Sequence, residues 1–104
     1  MSEASRDQLE QTYLHLTRNA LPNLAAAAGD WPIRFDHCFM RVCLDHACDG
    51  VWYDHVPAGK GPAYKRATDR QLRDAIGVAK QIEAGGSDVL KPLNEQSLRW
   101  RGKR

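Results

Sequence analysis

The stretch FDHCFMRVCLDH, residues 35–46, decides the fold. Its apolar side chains at Phe35, Phe39, Val42 and Cys43 recur every three or four positions, which places them on one face of an α-helix. We expect this to be the most apolar helix of the chain. We therefore predict a central helix here, with the remaining segments packed around it.

The residues that flank this stretch predict where the central helix begins and ends. Asp30 precedes Trp31 and Pro32. Aspartate is a good N-cap, and proline is tolerated in the first helical turn. The pair Asp49-Gly50 is typical of a helix C-terminus. The sequence therefore predicts a helix that starts near Asp30 and stops before Gly50.

The N-terminal segment predicts another helix, from about Arg6 to about Ala20, with Ser5 as its cap. Its apolar face consists of Leu9, Tyr13, Leu16 and Ala20. Pro22 has no amide hydrogen, so we expect the helix to kink or restart there. Four alanines then favour helix up to Gly29, which is a natural stop.

The C-terminal half predicts two further helices. Thr68 and Gln71 have the spacing of a capping box, in which each side chain bonds the other residue's backbone amide. Glycines at 85–86 stop the helix that follows, and the last helix starts at Ser87 or at Lys91.

These elements together predict the fold class. Residues 51–56 are expected to form a short extended piece, followed by an irregular connection that contains glycine and proline. The predicted fold is mostly α: residues 1–104 form a compact single domain of four or five short helices with that irregular loop in the middle. A basic C-terminal tail starts at about residue 99. The predicted core is led by Phe35, Phe39, Val42, Leu72, Ile76 and Ala79.

The amino-acid composition limits the classes of protein to which this chain can belong. The net charge is +2, and no apolar run approaches the roughly 20 residues that a membrane span needs. The three cysteines are odd in number and close together, which favours reduced thiols over a disulfide framework. We expect a cytoplasmic protein with no membrane contact. Its lean apolar content also suggests a homodimer as one way to bury more surface.

Charge is divided unevenly along the chain. Residues 1–56 carry four arginines against eight acids, whereas residues 57–104 carry eleven basic residues against five acids. Such a division favours a nucleic acid or a phosphate-bearing ligand as partner of the basic half. The residues predicted to bind a polyanion are Lys60, Lys65, Arg66, Arg99, Arg101 and Lys103.

Residues 36–55 carry three His, three Cys and four Asp. Cys43, His46 and His55 are candidate ligands of a metal ion, because thiolate and neutral imidazole both bind zinc. The same three residues and His37 are candidate catalytic groups, with cysteine as nucleophile and histidine as base. Ordinary buried cysteines and polar helix faces explain the pattern equally well. His37, Arg41 and Asp45 share a second face of the same helix.

The sequence thus supports one hypothesis of function and two alternatives. The first is a small intracellular binding module that contacts nucleic acid or another polyanion through its basic second half. The second is a small thiol- or metal-dependent enzyme centred on residues 36–55. The third is a protein-interaction subunit. Neither a cofactor nor a substrate follows from the sequence.

Overall fold

The structure is a computed structural model that describes residues 5–102 of the chain. The helices are α1 (Arg6–His15), α2 (Leu21–Ala28), α3 (Asp36–Cys48), α4 (Ala63–Arg66), α5 (Asp69–Gly85) and α6 (Ser87–Trp100). A π-helical segment, Leu16–Ala20, joins α1 to α2, and Trp52–Asp54 forms a 3₁₀ turn. Residues 5–102 contain no strand, so the predicted mostly α fold class is confirmed. No helix in that range combines the length and the apolar character that crossing a membrane requires.

The core forms where α3 faces α5. Helix α6 packs against both of them, and α1 packs against α5. Burying one large apolar side chain stabilises a fold by about 1.5–3 kcal/mol. Because the interface between α3 and α5 buries several such side chains, it is the main apolar contact that stabilises the fold. The predicted core residues that are buried here are Phe39, Val42, Leu72, Ile76 and Ala79.

Helix α3 begins later than the sequence predicts. It starts at Asp36 rather than near Asp30, and Phe35 is its N-cap, with an extended backbone (φ −103°, ψ 151°). An N-cap residue lies outside the helical geometry, so its side chain does not follow the apolar face. Phe35 is 58% exposed, and its ring stacks on His37 at a centroid distance of 5.9 Å. The prediction that Phe35 belongs to the core is therefore wrong.

The segment after α3 turns instead of extending. Trp52–Asp54 is a 3₁₀ turn, with the amide of Asp54 donating to the carbonyl of Val51 at 3.1 Å. The amide of Trp52 donates to Oδ1 of the buried Asp45 at 3.0 Å. The extended piece predicted for residues 51–56 is wrong, because this bond to a distant carboxylate bends the chain.

The helix around Pro22 continues where a kink or restart is expected. The preceding turn widens to π geometry, and the amide of Leu21 donates to the carbonyl of Leu16, five residues back. A proline ring collides with the carbonyl four residues before it in a regular α-helix. The wider turn gives Pro22 the room to sit in the first turn of α2.

The predicted helix ends are confirmed at most positions. Ser5 and Thr68 each form a capping box, with Gln8 and Gln71 respectively. Gly29 closes α2 in the left-handed region, at φ 80°. Helix α5 ends at Gly85, and α6 starts directly at Ser87, the first of the two predicted starts.

An ion-pair cluster fastens α4 to α1. Glu10 is buried, and its carboxylate accepts from Nε of Arg6 at 2.8 Å and from Nζ of Lys65 at 2.7 Å. Arg6 also donates to Asp69 and to the backbone carbonyl of Tyr64. The hydrogen bond from Arg6, followed by that from Lys65, lowers the pKa of Glu10 below its usual value of 4.5.

The junction of α5 and α6 generates a first prediction. A Cβ placed on Gly85 would overlap the side chain of Val89, whereas one placed on Gly77, also in α5, would meet nothing within 4 Å. We expect Gly85→Ala to lower the free energy of unfolding by about 1–3 kcal/mol, as overpacking does. Gly77→Ala should instead raise it by about 0.5–1 kcal/mol, because alanine favours helix. Urea denaturation measures both values, and equal effects would contradict the close junction.

A second prediction concerns pH. The folded pKa of Glu10 is lowered, so its contribution to stability is present above about pH 4.5 and is lost as the pH falls through the folded pKa. The difference in unfolding free energy between wild type and Glu10→Gln should therefore be largest near pH 7 and shrink below pH 4.5. Urea denaturation across a pH series measures this difference. A difference that stays constant with pH would show that Glu10 acts only through packing. Glu83→Gln, on the exposed side of α5, serves as the control.

Candidate functional site

A cavity of about 250 Å³ lies against α3. Four of its lining residues, His37, Met40, Arg41 and Leu44, come from that helix. Their spacing of three and four positions puts them on one face of an α-helix. The wall that α3 supplies is therefore a direct consequence of the sequence pattern.

The rest of the wall comes from segments that are distant in the sequence. Tyr13 belongs to α1 and Arg18 to the π segment. Trp52 belongs to the 3₁₀ turn, Tyr64 to α4, and Arg101 follows α6. Residues 62–63 complete the lining. The cavity thus exists only once these segments have folded onto α3.

The lining is strongly positive. Arg18, Arg41 and Arg101 contribute three guanidinium groups, and none of the lining residues carries a carboxylate. Guanidinium groups bind carboxylates and phosphates with paired hydrogen bonds. The chemistry of the wall therefore favours an anion.

Arg101 is held by the buried carboxylate of Asp45. Its Nε donates to Oδ2 at 2.8 Å and its Nη2 to Oδ1 at 2.9 Å, which makes the ion pair bidentate. This hydrogen bonding raises the pKa of Arg101 above its ordinary value. Asp45 is fully buried and also accepts from Ser97 Oγ at 2.6 Å. Asp45 therefore fixes Arg101, which leaves the Nη1 hydrogens without a bond within residues 5–102.

Arg41 is held by neutral groups. Its Nη1 donates to Ser97 Oγ and its Nη2 to Asn94 Oδ1, both at 2.7 Å. No ion pair joins it to a carboxylate within residues 5–102. Burial lowers the pKa of Arg41, and the positive charge of Arg101 acts in the same direction. A guanidinium has five N–H donors, so Arg41 keeps donors for a ligand whose negative charge would offset this repulsion.

Tyr13 adds a buried hydroxyl that has no partner. The side chain is fully buried, and its hydroxyl has no hydrogen bond within the part of the chain that the structure describes. An unsatisfied buried hydroxyl costs about 1–3 kcal/mol. Burial also raises the pKa of Tyr13 above its ordinary value, so the hydroxyl keeps its proton. Because none of its surface is open to solvent, this hydroxyl is not exposed to a ligand in the cavity.

Aromatic rings form the remaining wall. The guanidinium of Arg18 lies over the ring of Tyr64 at 5.8 Å, and Nζ of Lys65 lies 5.7 Å from the same ring. Arg66 lies 5.8 Å from the ring of Trp52. Such cation–π contacts fix the position of each cation relative to its aromatic ring. The cavity is therefore bounded by flat apolar faces as well as by charge.

The structure does not bring the candidate catalytic and metal-binding residues together. Cys43 is fully buried, and burial raises the pKa of its thiol to about 12, which does not favour a thiolate. Nε2 of His46 donates to the carbonyl of Leu93 at 2.8 Å, and His55 lies exposed beside Gly50. Within residues 5–102, no three His, Cys, Asp or Glu side chains are placed to hold a metal ion.

Of these candidates, His37 lines the cavity. It is exposed at the outer end of the α3 face, beside Oδ1 of Asp36 at 3.6 Å.

The residues predicted to bind a polyanion are spread over the molecule. Lys65 is paired with Glu10, and Nε of Arg66 donates to the carbonyl of Gly61 at 3.1 Å. Arg99 lies 3.9 Å from Glu95, and Lys60 is exposed.

Arg101 is the one of them that lines the cavity. Lys103 lies outside the described residues.

Two arginines of the cavity escaped the sequence analysis as binding residues. The spacing of His37, Arg41 and Asp45 signals a shared helix face, and the structure places Arg41 in the cavity wall. Arg18 gave no signal, because its position depends on the π segment. Comparison of the chain with protein-family profiles, with curated proteins and with solved structures finds no match.

The buried ion pair generates a third prediction. Asp45→Asn removes the charge that neutralises Arg101, and breaking a buried pair in this way costs about 3–5 kcal/mol. We expect the free energy of unfolding to fall by that amount. Asp74→Asn is the matched control, because Asp74 is exposed and lies 3.8 Å from Arg70. It should change stability by less than about 1 kcal/mol. If urea denaturation shows that both variants change the free energy of unfolding by equally small amounts, the charge of Asp45 is not needed for stability.

Proposed function

We propose that this protein is a binding module for an anionic ligand, which it holds in the arginine-lined cavity. The observation that carries the proposal is that Arg18, Arg41 and Arg101 line one cavity, and that none of the residues lining it carries a carboxylate. This keeps the polyanion hypothesis of the sequence but moves its centre from the scattered lysines and arginines of the second half to the cavity.

One further feature supports the proposal. The π segment carries Arg18 into the wall, and π-helical turns within α-helices often occur at functional sites.

A fourth prediction tests the proposal with inorganic phosphate. Phosphate is titrated against chloride at fixed ionic strength, and the protein is followed by ¹H–¹⁵N NMR. We expect the largest shifts at the Nε–H groups of Arg41 and Arg101 and at the indole of Trp52. Arg18→Gln should weaken phosphate binding about tenfold, since a hydrogen bond to a charged group contributes about 1.5–3 kcal/mol. Arg18 is exposed and makes no hydrogen bond within residues 5–102, so folding should be preserved.

Arg70→Gln is the matched control, because Arg70 is an exposed arginine of α5 outside the cavity. Equal affinity in the wild type and in both variants would overturn the proposal. Shifts centred on Lys60 and Arg99 would instead support the surface contact with nucleic acid that the sequence predicts.

A further inference from the structure

The cavity is smaller than most pockets for ligands of drug size. Pockets for such ligands span about 300–1,000 Å³, whereas this one has a volume of about 250 Å³. A dry cavity of about 150 Å³ holds one benzene ring. The remaining space of about 100 Å³ is enough for one small anionic group, because a cavity needs only about 10–15 Å³ to hold a water molecule. The volume therefore fits one ring with one anionic group.

The wall has faces for both parts of such a ligand. Met40, Leu44, Trp52 and Tyr64 offer apolar and aromatic surface. Aromatic side chains favour offset or edge contacts with a second ring. The guanidinium groups offer the donors for the anion.

The charge of the site fits a dianion. Three guanidinium groups line the cavity, and Asp45 neutralises one of them through its bidentate bond to Arg101. Two positive charges remain. A phosphate monoester carries about −1.5 to −2 at pH 7, whereas a carboxylate carries about −1. The balance therefore favours phosphate.

From this combination of volume, ring faces and charge, we infer that the ligand is an aromatic phosphate monoester: one ring that carries one phosphate group. The inference rests on the proposed function, because it specifies the ligand of the same cavity. The ring lies against Tyr64 and Trp52, and the phosphate lies among the guanidinium groups of Arg18, Arg41 and Arg101. Two sources share this chemistry, a free aromatic phosphate and a phosphotyrosine side chain.

The fifth prediction tests the inference with defined probes. Phenyl phosphate, inorganic phosphate and benzoate are titrated at fixed ionic strength by calorimetry and NMR. We expect phenyl phosphate to bind at least tenfold more tightly than either of the others. Tyr64→Leu should reduce the affinity ratio of phenyl phosphate to inorganic phosphate. Trp31→Leu is the control, since this ring contacts Phe39 and neither residue lines the cavity, and it should leave the ratio unchanged.

The outcomes separate the inference from the proposed function. Equal affinities for phenyl phosphate and inorganic phosphate would show that the ligand needs no aromatic ring, while the proposed anion site would still hold. If benzoate binds as tightly as phenyl phosphate, the inference that the site prefers a dianion is wrong. Failure of all three probes to bind overturns both the inference and the proposed function.

A phosphotyrosine peptide distinguishes the two sources. Binding as tight as that of phenyl phosphate supports the inference with a protein partner as source. Binding of phenyl phosphate alone supports it with a free molecule as source.

Discussion

The carboxylate of Asp45 is the constraint on which the rest of the structure depends. It is fully buried and accepts hydrogen bonds from Ser97, Trp52 and Arg101, which lie in α6, in the 3₁₀ turn and after α6. A buried charge is tolerated only when it is paired and hydrogen-bonded, so these segments must meet at one point. The contact also determines where Arg101 stands. The same interaction therefore closes the fold and builds one wall of the cavity.

The positive character of the cavity follows from the way its arginines are held. Arg101 is paired with a carboxylate, whereas Arg41 rests on the neutral side chains of Ser97 and Asn94. Ser97 links the two, because it accepts from Arg41 and donates to Asp45. The Ser97 hydroxyl thus positions Arg41 directly and Arg101 through Asp45. No carboxylate is paired with Arg41 within residues 5–102, so its charge is not neutralised. The fold itself therefore holds these donors in place, which is the preorganisation that the proposed anion site requires.

Local signals in the sequence predict much of the fold but less of the site. The capping boxes at Ser5 and Thr68 and the stop at Gly29 depend on residues within a few positions, so they are readable directly. The turn after α3 depends on a bond between Trp52 and Asp45, which no local pattern records. The cavity depends on still more distant contacts. Helical spacing reveals only its α3 face, while the contribution of Arg18 is visible only in three dimensions.

The π segment has a consequence for the evolution of the chain. The buried residue Tyr13 precedes it and the buried Leu16 begins it, and beyond it Leu21 and Ala25 are buried while Leu24 is 39% exposed. The wide turn thus absorbs one residue more than a regular helix would. Leu16 and Leu21 are five residues apart across this turn, and losing one residue there would place them four apart, which is the same face of a regular α-helix. The buried face would therefore be kept, and the cost of such a deletion would fall on Pro22, whose ring would meet the carbonyl four residues before it.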